Sequence, residues 1–170
     1  TVPSSSSPTV VQTAQGATII VFSNDFDRAL ASFVLANGAA AVGKPVTMFF
    51  TFWGLTVLRK RKKVRGIKKN LIEKMFGWML PRGSTKLPLS KMNMLGMGPL
   101  MIRFLMKKKR VDALETMIQN AFEGGARLIA CQMSMDLMGI RREELIDGVE
   151  VGGVATYLET AERADTNLFI

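Results

Sequence analysis

The stretch that decides the fold class is Arg127-Leu-Ile-Ala-Cys-Gln-Met-Ser-Met-Asp-Leu-Met-Gly139. It follows Gly124-Gly-Ala126 and opens with a short apolar run, Leu128 to Ala130, which predicts a buried strand. The residues from Met133 to Gly139 predict the start of a helix. A short buried strand that turns directly into a helix is the unit of a parallel α/β sheet.

Cys131, the single cysteine of the chain, stands where this strand turns into the helix. In such sheets the reactive groups lie beyond the carboxyl ends of the strands. The free N–H groups of the following helix would favour the thiolate form of the side chain. Free cysteine is also among the most buried residue types and behaves as a small hydrophobic residue. Position alone therefore leaves both a chemical and a structural role open.

Length and composition limit the classes of protein. The 170 residues are enough for one domain with a core and too few for two. One cysteine excludes an internal disulfide framework and fits a reducing, cytoplasmic compartment. The absence of histidine excludes histidine-based triads and histidine-containing metal sites. We predict no cofactor.

The net charge of +9 is unevenly distributed. Between Arg59 and Arg110 there are 17 Lys and Arg, one acidic residue (Glu73) and seven of the twelve methionines. These residues predict a basic, methionine-rich insertion, at about 59–110, in an otherwise acidic domain. Gly and Pro interrupt it, so no apolar run reaches the ~20 residues that a membrane-spanning helix needs.

The rest of the chain alternates between strands and helices. Residues 1–16 are small and polar and predict a disordered leader, without the pattern of a secretory signal. Strands are predicted at 17–23, 46–51, 128–130, 149–151 and 167–170. Helices are predicted at about 25–42 and 111–123, from about 134, and at 154–164. We expect a single α/β domain over 17–170, with an open, mostly parallel sheet of about five strands and helices on both faces.

Four stretches carry a family resemblance: Ile19-Ile-Val-Phe-Ser-Asn-Asp25, Met48-Phe-Phe-Thr-Phe-Trp-Gly-Leu55, Gly125-Ala-Arg-Leu-Ile-Ala-Cys-Gln-Met-Ser-Met135 and Val151-Gly-Gly-Val-Ala-Thr-Tyr157. They resemble the DsrE/DsrF-like family, in particular its peroxiredoxin-like, DsrE-type sulfurtransferase branch. The resemblance implies a DsrE-like parallel sheet and a homo-oligomer, a trimer or a multiple of one. It also implies a reactive Cys131 that carries sulfane sulfur as a persulfide, with rhodanese-like or TusA-like proteins as sulfur donors or acceptors.

With the resemblance added, we expect Cys131 to act as a nucleophile that takes sulfur from a donor and passes it to an acceptor thiol. One cysteine is enough for a sulfur carrier, whereas a dithiol oxidoreductase needs a second, resolving cysteine. The sequence leaves open whether the protein is an enzyme, a sulfurtransferase, or a carrier only.

Side chains at neighbouring strand ends are candidates for a substrate pocket around this thiol. They are Ser23, Asn24, Asp25, Thr51, Phe52, Trp53, Gln132 and Met133. Polar groups would hydrogen-bond the persulfide and aromatic groups would exclude water. Ser23-Asn-Asp25 is also a good helix N-cap, and Trp53 also suits core packing, so a structural role stays open for these residues.

The insertion is the second candidate site, and three interpretations of it are open. It is a mobile arm, a surface that binds anionic lipid, or a surface that docks an acidic partner or a redox enzyme. Its basic candidates are Arg59, Lys60, Arg61, Lys62, Lys63, Lys107, Lys108, Lys109 and Arg110. The mixture of apolar and charged residues favours lipid or partner docking, so the alternative function is a non-catalytic, peripheral membrane or partner-docking subunit. Nucleic acid is not predicted, because no reading motif is present. Methionine is more often a packing residue than a copper ligand, so no metal site is predicted.

Overall fold

The computed structural model describes residues 15–62, 64, 66 and 70–170. The predicted leader therefore lies almost entirely outside the described residues. One parallel sheet has the strand order β4-β3-β2-β1-β5. Its strands are β1 (Gly16–Val21), β2 (Val46–Phe50), β3 (Arg127–Cys131), β4 (Glu150–Gly152) and β5 (Ala164–Phe169). The predicted α/β class with about five strands is confirmed.

Within the described residues, six α-helices accompany the strands. They are α1 (Phe26–Ala41), α2 (Leu71–Met79), α3 (Met97–Lys108), α4 (Leu114–Glu123), α5 (Gln132–Met138) and α6 (Val154–Ala161). A 3₁₀-helix, Phe52–Leu58, follows β2 directly, and shorter 3₁₀ turns lie at Ser84–Lys86, Met94–Gly96 and Arg142–Glu144. Helix α1 connects β1 to β2, helix α4 precedes β3, and the two helices pack against each other.

The two faces of the sheet are covered unequally. On one face, α1 and α4 enclose the large core, which includes Ile19, Phe33, Met48 and Leu128. On the other face α6 encloses the small core, defined as Phe49, Ile129, Cys131 and Tyr157. Side chains alternate along a strand, so neighbours such as Leu128 and Ile129 serve opposite cores.

The described part of the insertion packs back onto the large core. Leu80, Leu87 and Met106 are buried there, although much of α2 and α3 remains exposed. No helix in the described part of the chain is both long and apolar enough to cross a bilayer.

Polar contacts also hold the insertion to the rest of the domain. Arg141 of the body pairs with Glu73 of α2 at 3.0 Å, and Ser90 donates from its backbone N–H to the Asp27 carboxylate at 3.0 Å. Burial raises the pKa of Asp27, but the hydrogen bonds from Ser90 outweigh this and hold the pKa below its ordinary value.

Candidate functional site

Cys131 ends β3, the second strand of the sheet, and is a free thiol with only 1% of its surface exposed. Its neighbour across the β3–β4 ladder is Gly152. The side chain points into the small core, where Phe49, Ile129 and Tyr157 pack around it. The predicted position at a strand end is observed, but the thiol is enclosed by apolar side chains.

Thr51 lies beside this strand end. It follows Phe50, which pairs with Ala130 in the neighbouring strand. The Thr51 hydroxyl lies 2.7 Å from the hydroxyl of Ser134. Ser134 is fully buried in the first turn of α5 and was absent from the predicted pocket. Its position three residues after Cys131, one helical turn away, is the signal that could have identified it.

Gln132 and Met133 form the exposed surface next to the thiol. Both belong to the first turn of α5, and both are exposed. The Gln132 amide donates to the Asp136 carboxylate at 2.9 Å, one turn further along. The chain next to Cys131 is therefore open to solvent even though the sulfur atom is not.

Ser23, Asn24 and Asp25 lie at the end of β1, so β2 separates them from the strand of Cys131. The Ser23 hydroxyl donates to the Asp25 carboxylate at 2.8 Å. Asp25 also pairs with Arg28 at 3.5 Å. These contacts place Ser23 and Asp25 at the start of α1, where Asp25 occupies the N-cap position without a side-chain hydrogen bond to the helix.

Phe52 and Trp53 begin the 3₁₀-helix after β2. The ring of Phe52 lies 5.6 Å from that of Phe22, towards β1, and Trp53 is exposed. Gly54 makes this close turn feasible, because a Cβ atom there would meet the Val21 carbonyl oxygen at 2.1 Å. The two predicted aromatic residues thus lie at the same edge of the sheet as Cys131 but outside the small core.

The structure corrects one prediction for the basic surface. Arg59 is only 1% exposed, and its guanidinium pairs with Glu144 at 3.2 Å and donates to the Leu80 carbonyl at 3.3 Å. Burial lowers the pKa of Arg59 below its ordinary value. The backbone of Arg59 forms an antiparallel bridge with Leu145. Because its side chain is buried, Arg59 is not part of a surface that could contact a membrane or a partner.

The other predicted basic residues fall into two groups. Lys60 reaches Asp147 at 3.0 Å, Arg61 and Lys62 are exposed, and Lys63 lies outside the described residues. At the end of α3, all four residues from Lys107 to Arg110 are exposed.

Apolar side chains are also exposed on the two helices of the insertion. Trp78 on α2 is 86% exposed, and Leu71 and Met75 lie on the same helix. Leu100 and Phe104 are exposed on α3. Helices that combine exposed apolar side chains with lysine and arginine commonly associate with anionic bilayer surfaces.

Comparison with known proteins covers nearly the whole chain. The model of the DsrE/DsrF/DrsH-like family matches residues 13–169. YrkE, an uncharacterised protein of Bacillus subtilis (strain 168), is 51% identical over 153 residues, covering 90% of this chain and 95% of YrkE. The sulfur carrier protein DsrE2 of Allochromatium vinosum is 37% identical over 156 residues, covering 89% of this chain and 96% of DsrE2.

Solved structures share the fold. The YchN protein of E. coli has a TM-score of 0.51 and 15% identity, covering 91% of this chain and 99% of YchN. MTH1491 of Methanobacterium thermoautotrophicum, a protein of unknown function, has a TM-score of 0.50 and 13% identity, covering 92% of this chain and 99% of MTH1491. At these identities the likeness establishes the fold.

Proposed function

We propose that this chain, which belongs to the DsrE/DsrF/DrsH-like family, is a sulfur carrier. In this proposal Cys131 holds sulfane sulfur as a persulfide. The observation that carries the proposal is the 37% identity to a protein described as a sulfur carrier, over 89% of this chain. A sulfur-transfer role needs a nucleophilic thiol, and Cys131 is the single cysteine of the sequence.

The transfer step conserves electrons. The Cys131 thiolate attacks the outer sulfur of a donor persulfide, R–S–SH. A new S–S bond forms on Cys131, the S–S bond of the donor breaks, and the donor leaves as R–S⁻ with the electron pair. An acceptor thiolate then attacks the outer sulfur of Cys131–S–SH in the same way and releases the Cys131 thiolate. The cycle needs no oxidant and no second cysteine.

Access to the buried sulfur requires a local opening. β4 is an edge strand of three residues and holds only one side of β3. Gly152 and Gly153 connect it to α6, the helix that covers the small core. Short edge elements are the parts of a fold that open most readily. We therefore place the access route at β4 and α6, beside the exposed Gln132 and Met133.

Intact mass measurement tests the proposal. Reduced protein is incubated with polysulfide, glutathione persulfide and thiosulfate in turn. We expect a gain of about 32 Da, one sulfur atom, that maps to Cys131 and is removed by dithiothreitol. The Cys131→Ser variant should remain folded and gain nothing. The proposal is wrong if no donor adds sulfur and the thiol of the folded protein also fails to react with iodoacetamide.

The proposal extends to partners and compartment. A persulfide carrier works in a reducing compartment, so we place the protein in the cytoplasm, with rhodanese-like or TusA-like proteins as sulfur donors or acceptors. We also propose a homo-oligomer, a trimer or a multiple of one, because apolar side chains stay exposed around α6: Val154, Leu158 and Phe169.

The exposed apolar helices favour a second candidate function, a subunit that docks on an anionic membrane surface or a partner. The supporting observation is the exposure of Trp78, Leu71 and Phe104 close to lysine and arginine in sequence. In this alternative Cys131 has a structural role, and the insertion binds the membrane surface or the partner.

Vesicle binding tests this alternative. We expect binding to phosphatidylglycerol vesicles, little binding to phosphatidylcholine vesicles, and loss of binding as salt rises. The Trp78→Ser variant and the Lys60→Gln/Lys62→Gln variant should each bind more weakly. Equal binding to both vesicle types, or none to either, would contradict a role at anionic lipid.

A further inference from the structure

A cavity of about 480 Å³ lies where α1, α3 and the start of α4 meet. Phe26 at the start of α1 and Met106 near the end of α3 line it, with the connection from Arg110 to Ala113 that leads into α4. Phe26 and Met106 belong to the large core, whereas Cys131 belongs to the small core on the opposite face of the sheet.

The charges that line the cavity are mostly positive. Three basic residues, Arg103, Lys107 and Arg110, face one acidic residue, Asp112. Among the described residues, neither Lys107 nor Arg110 has a carboxylate within ion-pair distance. Their charges are therefore available to a ligand.

Arg103 is held in a fixed position at the cavity wall. Its guanidinium donates to the Ser84 carbonyl at 2.6 Å and lies 3.6 Å from the Glu115 carboxylate. The guanidinium carbon also lies 4.3 Å from the centre of the Phe26 ring. Its Nε atom is buried and has no hydrogen-bond partner in the structure. These contacts fix the side chain, and its charge adds to those of Lys107 and Arg110 at the cavity wall.

The remaining walls are apolar, because Phe26, Met106, Val111 and Ala113 form them. The volume falls within the range of small-molecule sites, about 300 to 1,000 Å³. Ala113 also precedes the first turn of α4, and no side chain caps that ten-residue helix. Its first N–H groups are additional donors for an anion.

We propose that this cavity binds a small organic anion, in which one carboxylate, sulfonate or phosphate group is joined to an apolar body. The anionic group pairs with Lys107 and Arg110, and the apolar body lies on Met106 and Val111. This site goes beyond the proposed sulfur carriage and does not depend on Cys131.

Naphthalene-1-sulfonate is the probe, and ¹³C-labelled methionine methyl groups report binding by NMR. We expect a saturable shift of the Met106 resonance, while Met75 on the exposed face of α2 stays unchanged. Methanesulfonate has the same anionic group without the apolar body, so it should bind at least about tenfold more weakly.

Two matched double variants separate this cavity from general attraction to a basic surface. Lys107→Gln/Arg110→Gln removes two charges from the cavity and should weaken binding about tenfold or more. Lys108→Gln/Lys109→Gln removes two charges from the same helix end, outside the cavity lining, and should change affinity by less than about twofold. Asp112→Asn removes the acidic residue and should tighten binding by about fivefold.

Several results would overturn the proposal. Equal weakening by the two double variants would mean diffuse attraction to the basic helix end. A shift of Met75 without Met106 would mean that the probe lies on the exposed face of α2. Equal affinity for methanesulfonate would mean that the apolar walls of the cavity do not contribute to binding. Thermal unfolding of each variant by circular dichroism verifies that the fold is retained.

Discussion

Tyr157 and Cys131 both belong to the small core, and we expect the tyrosine ring to limit access to the thiol. The Tyr157 ring lies 5.3 Å from the Phe49 ring, and its hydroxyl lies 3.3 Å from the Thr18 hydroxyl. Tyr157 is the single tyrosine of the sequence and follows the Gly152-Gly153 pair. The sequence could not predict that Tyr157 and Cys131 share one core, because Tyr157 lies on α6 and Cys131 ends β3.

Removing this ring should expose the sulfur. We expect Tyr157→Ala to raise the rate of Cys131 alkylation by iodoacetamide at least tenfold, and to lower the free energy of unfolding by about 3 kcal/mol. Tyr157→Phe keeps the ring and should alter the free energy of unfolding by about 1 kcal/mol. Intact mass against time and urea denaturation give the two quantities.

A matched variant separates local opening from general loss of stability. Phe33→Ala removes a ring of similar size from the large core, on the other face of the sheet. It should destabilise to a comparable extent without exposing Cys131 locally. If both variants accelerate alkylation equally, the thiol is reached by global unfolding and Tyr157 has no gating role.

Arg59 shows the limit of prediction at single residues. Five consecutive basic residues begin with it, and all five were predicted to lie on a surface. Nothing in such a run distinguishes a buried arginine from solvated lysines. The partner that holds Arg59 inside the fold is Glu144, which is far away in sequence.

Substitution of Arg59 should therefore affect the fold and not a surface. We expect Arg59→Ala to lower the free energy of unfolding by about 3 kcal/mol, because it removes the guanidinium that pairs with the buried Glu144 carboxylate at 3.2 Å. Lys62→Ala, a matched change at an exposed position, should alter it by less than about 0.5 kcal/mol. Urea denaturation provides the measurement, and equal effects would contradict the structural role.

At the scale of elements, strand burial explains which predictions succeeded. All five residues of β2 are buried, and such continuous apolar runs are simple to recognise. β5 was predicted from Asn167 but begins at Ala164. Its inward and outward residues alternate at the sheet edge, so Asp165 and Asn167 interrupt the apolar pattern. On the helices, Val34 and Leu158 are apolar but about half exposed, which the sequence pattern alone does not reveal.

The β3–β4 pairing next to Cys131 carries a pH-dependent contact. Arg127 and Glu150 are half-exposed, and their side chains bond at 2.7 Å. The hydrogen bond from Arg127 lowers the pKa of Glu150 below its ordinary value of 4.5. A lowered carboxylate pKa stabilises the fold above the ordinary value, and this contribution disappears as the pH falls through the folded-state pKa.

Glu150→Gln should remove this dependence. At pH 7 the variant should be less stable than the parent protein by up to about 1 kcal/mol, a small effect because the pair is solvent-screened. The difference should shrink as the pH falls below about 4.5 and vanish once Glu150 is protonated in the folded parent. Urea denaturation between pH 7 and pH 3 tests this, and a difference that is constant with pH would rule out the ion pair as its cause.

At the scale of the whole molecule, sequence patterns predicted the sheet but not the assembly of the pocket. Parallel order and helices on both faces follow from alternating local patterns. Whether Ser23 or Thr51 lies beside Cys131 depends on strand order, which local patterns do not contain. Strand β2 lies between β1 and β3, so Thr51 is beside the thiol and Ser23 is not.

The face of the sheet that α6 covers keeps apolar side chains exposed, and this predicts where copies of the chain contact each other in an oligomer. If the exposed side chains around α6 form the interface between copies, Leu158→Asp should give a smaller species in sedimentation velocity. Val34→Asp is its matched control, because Val34 is 51% exposed and Leu158 is 50% exposed. A decrease in size with both variants, or with neither, would place the interface elsewhere or leave the protein monomeric.

The pairing of β1 with β5 also has a consequence during translation. These strands are neighbours in the sheet although nearly the whole domain separates them in sequence. A ribosome that has produced β1 to β4 has made a sheet whose β1 edge still lacks its partner. Unpaired strand edges invite association with other chains. We therefore expect the incomplete chain to be open to such association until β5 is added, for longer than a chain whose paired strands lie close together in sequence.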